Sequence, residues 1–291
     1  MDTGKLTLGV VWNGEMVVAT EISSTRPMAA QVLKGKSPTQ VVQIVPLLFS
    51  VCGRAQGAAA SVALLAAMRE ESPAVAAMEL SISCEALQEH LWRMMLDWPD
   101  LLGIPQDDTL FARWYALLRS IGAGEAELAT FRHEFEHEVL GMTTAEWRKM
   151  ATFAEVQAWW SKSENVLARV LAKLDMLQQS RTTRGAARLL PAWSAEEALQ
   201  ACAGNWDVRF AAQPEWQGAA AETGAWSYHA DSPLLRDVWQ QSGSKALTRV
   251  LARLVDMVEL AGGTAAPRLS MASPAADEGV AAVRTARGLL L

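Results

Sequence analysis

Cysteine is scarce in this chain. Three are present among 291 residues, at positions 52, 84 and 202, and they form no C-x-x-C pair. A disulfide framework is therefore excluded, and the simplest expectation is a reducing, cytoplasmic setting. No run of Lys or Arg occurs, and the net charge is −6, which argues against nucleic acid as a partner. Met1-Asp2-Thr3-Gly4-Lys5 is followed by a strand pattern rather than an apolar leader, so no signal peptide is expected. Long hydrophobic runs are also missing. The low-charge stretch 41–68 is broken by Pro46 and Arg54, and its second half is mostly Ala and Gly, so no membrane-spanning helix is expected. Gly4, Gly9 and Gly14 are too far apart to cradle a phosphate, and there is no Walker loop, G-x-G-x-x-G or G-x-S-x-G.

What is present fills a core. Apolar residues make up 51% of the chain and Trp is unusually frequent, at twelve. The tryptophans are expected mostly between helices, with some left to cover a partner surface. Asn13-Gly14 between two β-rich runs predicts an N-terminal hairpin. Ser37-Pro38 predicts an N-cap and first helical residue. A second helix is predicted from just after Cys52 to about Arg69. A third is predicted from Ser72-Pro73 to a stop before Trp98-Pro99. Thr143 with Glu146, and Ser194 with Glu197, have capping-box spacing, and the first opens an apolar-periodic stretch through Leu177. Residues 204–232 read as irregular. Lys245 to Leu260 reads as an amphipathic helix with Leu247, Val250, Leu251, Leu254 and Val258 on one stripe, ended by Gly262-Gly263. With no internal repeat and no long linker, residues 1–291 are expected to form a single domain of α+β class, predominantly α.

Two groups of residues carry candidate chemistry. Cys52 is expected in a loop running into a helix N-terminus, with Arg54 two residues on. Both features favour a thiolate, the form that ligates a soft or borderline metal; the alternative is a buried, inert cysteine. His133-Glu134-Phe135-Glu136-His137 satisfies H-E-x-x-H. On a helix the two imidazoles could bind zinc, with Glu134 as general base and Glu155 as a third ligand, in a zinc hydrolase. The alternative is a solvated, charged helix face. His90 and His229 read as isolated, and Cys84 and Cys202 as packing residues.

The stretch Ser50-Val51-Cys52-Gly53-Arg54-Ala55 resembles the N-terminal metal motif of NiFe-hydrogenase large subunits, R-x-C-G-x-C-x-x-x-H, with Ala55 and Ala59 where that motif has its second cysteine and its histidine. Lys34-Gly35-Lys36-Ser37-Pro38 is similar to the family's G-R-D-P loop. Asp277-Glu278-Gly279 through Arg287-Gly288-Leu289-Leu290 is similar to its G-E-G-V-G-A-V-E-A-P-R-G-L-L segment, with Ala286 in place of the proline. With one motif cysteine of four, the chain looks like the non-catalytic hydrogenase assembly scaffolds of the HupK/HoxV type, the hydrogenase expression/formation proteins.

The resemblance implies a large-subunit-like helical core with an N-terminal β-hairpin and a short C-terminal β segment, lacking the family's C-terminal cysteine segment. It implies no enzymatic activity and a transient cargo, the Fe(CN)2(CO) fragment. That cargo would be received from a HypC-type iron-fragment chaperone and passed to the hydrogenase large-subunit precursor, with other maturation proteins as partners. Cys52 would be the thiolate on iron, and Arg287 would pair with a cyanide, flanked by Ala286, Gly53 and Arg54. A docking factor without metal handling is the other reading in this class.

Overall fold

The computed structural model describes residues 4–25, 29–49, 51–70, 74–178, 188–202, 214–243 and 245–291. It is predominantly helical, with one small sheet at each end, as the class expected from the sequence requires.

Strands β1 (Leu6–Trp12) and β2 (Val17–Ser24) form the N-terminal antiparallel ribbon. Asn13 builds its turn, the side-chain Oδ1 accepting from the backbone N–H of Glu15 and of Met16. The turn spans residues 13–16, longer than Asn-Gly alone would give. Among the described residues no third strand joins this sheet. The cross-strand pair Leu8 and Ile22 is 70% and 74% exposed, so the ribbon has an apolar face without a cover.

Helices α1 (Pro38–Leu48) and α2 (Gly53–Met68) start where the sequence signals lie, and α2 also ends where expected. Ser37 and Gln40 close a reciprocal capping box on α1, and Arg69 ends α2 in the left-handed conformation. Helix α3 (Val75–Trp92) follows; the start expected at Ser72-Pro73 lies outside the described residues. The stop expected before Pro99 does not occur. A π turn over Arg93–Asp97 leads directly into α4 (Trp98–Leu102). The wider turn carries the chain past a proline ring that would clash in a regular helix, and helicity continues to Gly103.

Helices α5 (Asp108–Gly122) and α6 (Leu128–Phe135) come next, and a second π turn over Glu136–Leu140 ends the latter. The periodic stretch after Thr143 is three helices rather than one: α7 (Thr144–Trp147), α8 (Phe153–Trp160) and α9 (Val166–Gln178). Each restart has its own cap. Thr152 and Glu155 form a second capping box, and Asn165 Oδ1 accepts from Ala168 N–H. The box at Ser194 opens α10 (Ala195–Ala201). Within 204–232, read as irregular, a short α11 (Ala225–Tyr228) forms; residues 203–213 lie outside the described residues. Helices α12 (Pro233–Ser242) and α13 (Lys245–Ala261) complete the helical body.

Helix α13 is more central than its pattern implied. The expected stripe is buried, but so are Thr248, Ala252, Val255, Asp256 and Met257 on its other sides. Helices α3, α6, α7, α9, α11 and α12 all pack on it. Asp256, 2% exposed, is the one carboxylate inside this helix's buried set. Arg268 Nη2 lies 2.6 and 2.5 Å from its two oxygens, His90 Nε2 2.8 Å from one and His229 Nε2 2.9 Å from the other. Burial alone would push this carboxyl up; Arg268 and the two imidazoles outweigh burial and hold it well below its ordinary value. Burial pushes His90 down, with Asp256 opposing. Arg253 Nη1 lies 3.1 Å from His90 Nδ1. The partners therefore assign a neutral imidazole, Nε2–H donating to Asp256 and Nδ1 accepting from Arg253.

A second, smaller core joins α2 to the C-terminal sheet of β3 (Leu269–Ala272), β4 (Val280–Thr285) and β5 (Gly288–Leu290), ordered β3-β4-β5 and antiparallel throughout. Ala55, Ala58 and Val62 meet Ile82, Leu269, Ala281 and Val283 there. Gly279 lies so close to the Ala63 carbonyl that a Cβ has no room. Its glycine and the alanines of α2 let backbone approach backbone. Because Gly279 meets the later part of α2, β4 returns along the helix toward Cys52.

Two outcomes are expected from the Asp256 cluster. Asp256→Ala leaves a buried guanidinium without its counter-ion, and urea unfolding should show a loss of about 3–5 kcal/mol. His90 binds its proton more readily unfolded than folded. Its contribution is therefore intact above the ordinary histidine value of about 6.5 and declines as pH falls below it. His90→Gln should flatten the dependence of the urea midpoint on pH in that window; an unchanged slope would show that another group sets it.

Candidate functional site

The end of α1 and the start of α2 touch through their backbones. A Cβ on Gly53 would fall 2.8 Å from the Pro46 carbonyl oxygen, and one on Gly57 2.8 Å from Pro46 Cγ. Cys52 N–H donates to Phe49 O at 3.2 Å, and Cys52 O accepts from Gln56 N–H at 2.9 Å, so Cys52 is the residue on which the chain turns into α2.

The expected helix-terminus environment exists, but a carboxylate from elsewhere occupies it. Glu85 of α3 accepts from Arg54 N–H at 2.8 Å and from Ala55 N–H at 3.0 Å. Burial raises this carboxyl, while the two backbone donors and then Arg54 oppose the rise. The helix end that would have favoured a thiolate at Cys52 is thus already engaged by an anion. The guanidinium of Arg54 and the Cβ of Cys84 both lie against Gly122. Burial pushes the Cys84 thiol up to about 11, Arg54 opposing, so Cys84 stays a thiol and packs, as expected. Cys202 is likewise buried, and burial raises it too.

The other half of the site comes from the turn joining β4 to β5. Thr285 Oγ1 accepts from Arg287 N–H at 3.1 Å and Gly288 N–H at 3.2 Å, and donates to Gly288 O at 2.8 Å. Gly288 takes φ +146° against Thr223. Ala286, 5% exposed, points into the main core, and Arg287 points out. Arg287 Nε donates to Glu89 Oε1 at 3.0 Å, an oxygen that also accepts from Arg93 Nε at 3.0 Å.

Cys52 and Arg287, from opposite ends of the chain, line one cavity with Glu85, Glu89, Ala55 and Thr285. Its volume is about 10 Å³, roughly the room for one water. It adjoins a cleft of about 890 Å³ that shares Val51, Glu85, Glu89 and Arg287 with it and is also lined by Gly53, Arg54, Trp92 and Arg119. Cys52, Ala286 and Arg287 line the small cavity, and Gly53, Arg54 and Arg287 line the cleft beside it. Cys52 is half-buried and is not disulfide-bonded.

The H-E-x-x-H residues are engaged differently. Glu134 accepts from Trp114 Nε1 at 2.8 Å and pairs with Arg113 at 3.1 Å. Glu136 caps Thr144, and Glu155 caps α8 through Ala151, Thr152 and its hydroxyl. His137 is 80% exposed beside Glu138, and the π turn begins within the motif. Among the described residues no three His, Cys, Asp or Glu side chains converge as a metal-holding group. No helix among them is long and apolar enough to cross a membrane.

His90 and His229, isolated in the sequence, both meet Asp256. Nothing local links positions so far apart; the available signal was an aspartate inside the apolar pattern of α13. Glu85 and Glu89 were also missed, since one acidic residue on a helix has no signature of the element it will reach.

No family model matches the chain. It is 29% identical over 289 residues to the hydrogenase expression/formation protein HoxV of Cupriavidus necator, covering 93% of this chain and 74% of that protein. The chain is similar to hydrogenase expression/formation proteins. A shorter match, 38% identical over 99 residues, links it to the hydrogenase expression/formation protein HupK of Rhodobacter capsulatus, covering 33% of this chain and 31% of that protein. The resemblance read from the two end motifs therefore agrees with comparison across nearly the whole chain.

Gly53→Ala tests the close contact that seats Cys52. The added methyl must displace Pro46, and a loss of about 1–3 kcal/mol is expected by thermal or urea unfolding; wild-type stability would show that the contact yields without cost.

Proposed function

We propose that this protein acts in hydrogenase maturation as a non-catalytic scaffold, holding Fe(CN)2(CO) briefly between a HypC-type carrier and the large-subunit precursor. The relatives named as hydrogenase expression/formation proteins support the maturation role. The observation that carries the finer reading is the meeting of Cys52 and Arg287 on one cavity at the edge of a large cleft.

The chemistry follows from one thiol and one guanidinium. As iron leaves a carrier thiolate, the Cys52 sulfur forms the new iron–sulfur bond and its proton passes to the departing carrier sulfur. No electron is gained or lost. One thiolate holds less firmly than four, which suits cargo that must be released. Arg287 offers a fixed fork of donors, suited to the nitrogen of a cyanide. The present cavity is too small for iron with three diatomic ligands, so loading requires Arg287 to leave Glu89. The Arg287 side chain is 47% exposed, and Glu89, 11% exposed, keeps Arg93 as its partner when Arg287 leaves.

A docking role without cargo has its own supporting observation. The β1–β2 ribbon exposes Leu6, Leu8, Val10 and Ile22, and an apolar ribbon of two strands is stabilised by covering it. Anaerobic infrared spectroscopy separates the readings. Protein purified with its maturation partners should show iron-bound CO and CN bands that Cys52→Ala loses. Bands of equal intensity in the variant remove Cys52 from the mechanism, and no bands or iron in either protein leaves docking alone.

A further inference from the structure

We infer that Arg54 and Arg119, rather than Arg287 alone, form the receiving side of the cleft for an anionic, cyanide-bearing iron complex. The inference rests on the cargo reading above and adds residues that the end motifs do not assign.

The chain is acidic overall, yet Arg54, Arg93, Arg119 and Arg287 all line the 890 Å³ cleft, against Glu85 and Glu89. Arg93 and Arg287 are already satisfied, sharing Glu89, and Arg93 also pairs with Asp97. Among the described residues, the ion pairs formed include none from Arg54 or Arg119. Glu85 is near Arg54, but its oxygens are turned onto the backbone N–H groups of α2.

Arg54 is also built into place. Its Nη1 is buried with no acceptor. It fits only because Gly122 has no Cβ, since a methyl there would overlap that nitrogen. That contact fixes one end of the guanidinium and leaves the rest of the side chain on the cleft wall. Arg54 and Arg119, with Tyr115, stand at the junction of this cleft and an adjoining groove of about 780 Å³. The cleft is also lined by the apolar Val42, Pro46, Val51 and Ala58.

A lining that combines arginines with apolar side chains suits one ligand chemistry. Cyanide on iron is anionic and ends in a nitrogen lone pair, which a guanidinium recognises. Carbon monoxide on iron is a poor acceptor, and the apolar residues of the lining suit it.

Hexacyanoferrate(II) is a defined probe, because it carries iron-bound cyanide and has no open position for a thiolate. Calorimetric titration of the full chain should give saturable, single-site binding. Arg54→Gln and Arg119→Gln should each weaken it roughly tenfold or more, from loss of a charged hydrogen bond. Gly122→Ala, which keeps both charges but displaces Arg54, should weaken it as well, with folding checked by circular dichroism. Arg236→Gln, on an ion pair with Asp231 outside the cleft, should bind as wild type.

Inorganic phosphate bound as tightly as hexacyanoferrate overturns the cyanide assignment. Absent binding, or binding indifferent to Arg54→Gln and Arg119→Gln, overturns the site. Cys52→Ala should retain hexacyanoferrate binding. Loss of infrared bands in the partner-purified protein therefore reports on the carrier reading separately from these arginines.

Discussion

The close packing of α2 on β4 is the constraint on which the rest depends. A helix rich in alanine presents almost no side-chain bulk, and Gly279 brings the strand against the Ala63 carbonyl. Burial per residue is small for alanine, so the value of this interface lies in distance rather than area. It sets the end of β4 beside the beginning of α2, and Cys52 and Arg287 become neighbours. A bulkier helix face would hold the two ends of the chain apart, and the cavity between them would not form.

The surrounding charges follow from that proximity. Two acidic residues one turn apart on α3, Glu85 and Glu89, reach opposite sides of the junction. One holds the backbone of α2 and the other holds Arg287. A buried cluster on Asp256 then ties α3, α13 and the approach to β3 together behind the site, through His90, His229 and Arg268. The site is thus held by side chains from α3 on one side and by the small-residue interface on the other.

Much of the fold was legible because its signals are local. Ser37 with Gln40, Thr143 with Glu146, and Ser194 with Glu197 each satisfy orphan N–H groups within four residues, and each begins a helix where expected. Cys52 preceded a helix that ended at Arg69, as its composition predicted. The failures share a cause. Pro99 reads as a stop, but a π turn accommodates it once α3 and α4 are held by packing. The apolar periodicity from 143 to 177 continues through three helices because each segment faces the same core, and period alone does not report the breaks. Asp256 breaks the pattern of α13, yet only its partners explain why.

The amino-acid order by itself determined the helix starts, the hairpin, the α+β class and the two end motifs that place Cys52 and Arg287 in candidate roles, because these depend on neighbours a few residues apart. Tertiary structure alone decided what faces those residues. It set Glu85 on the helix end where a thiolate was anticipated, turned Arg54 toward Gly122 and Cys84, and gathered two unrelated histidines on one aspartate. Such contacts join elements far apart in the chain, and their energies depend on burial and geometry that exist only once the chain has closed on itself.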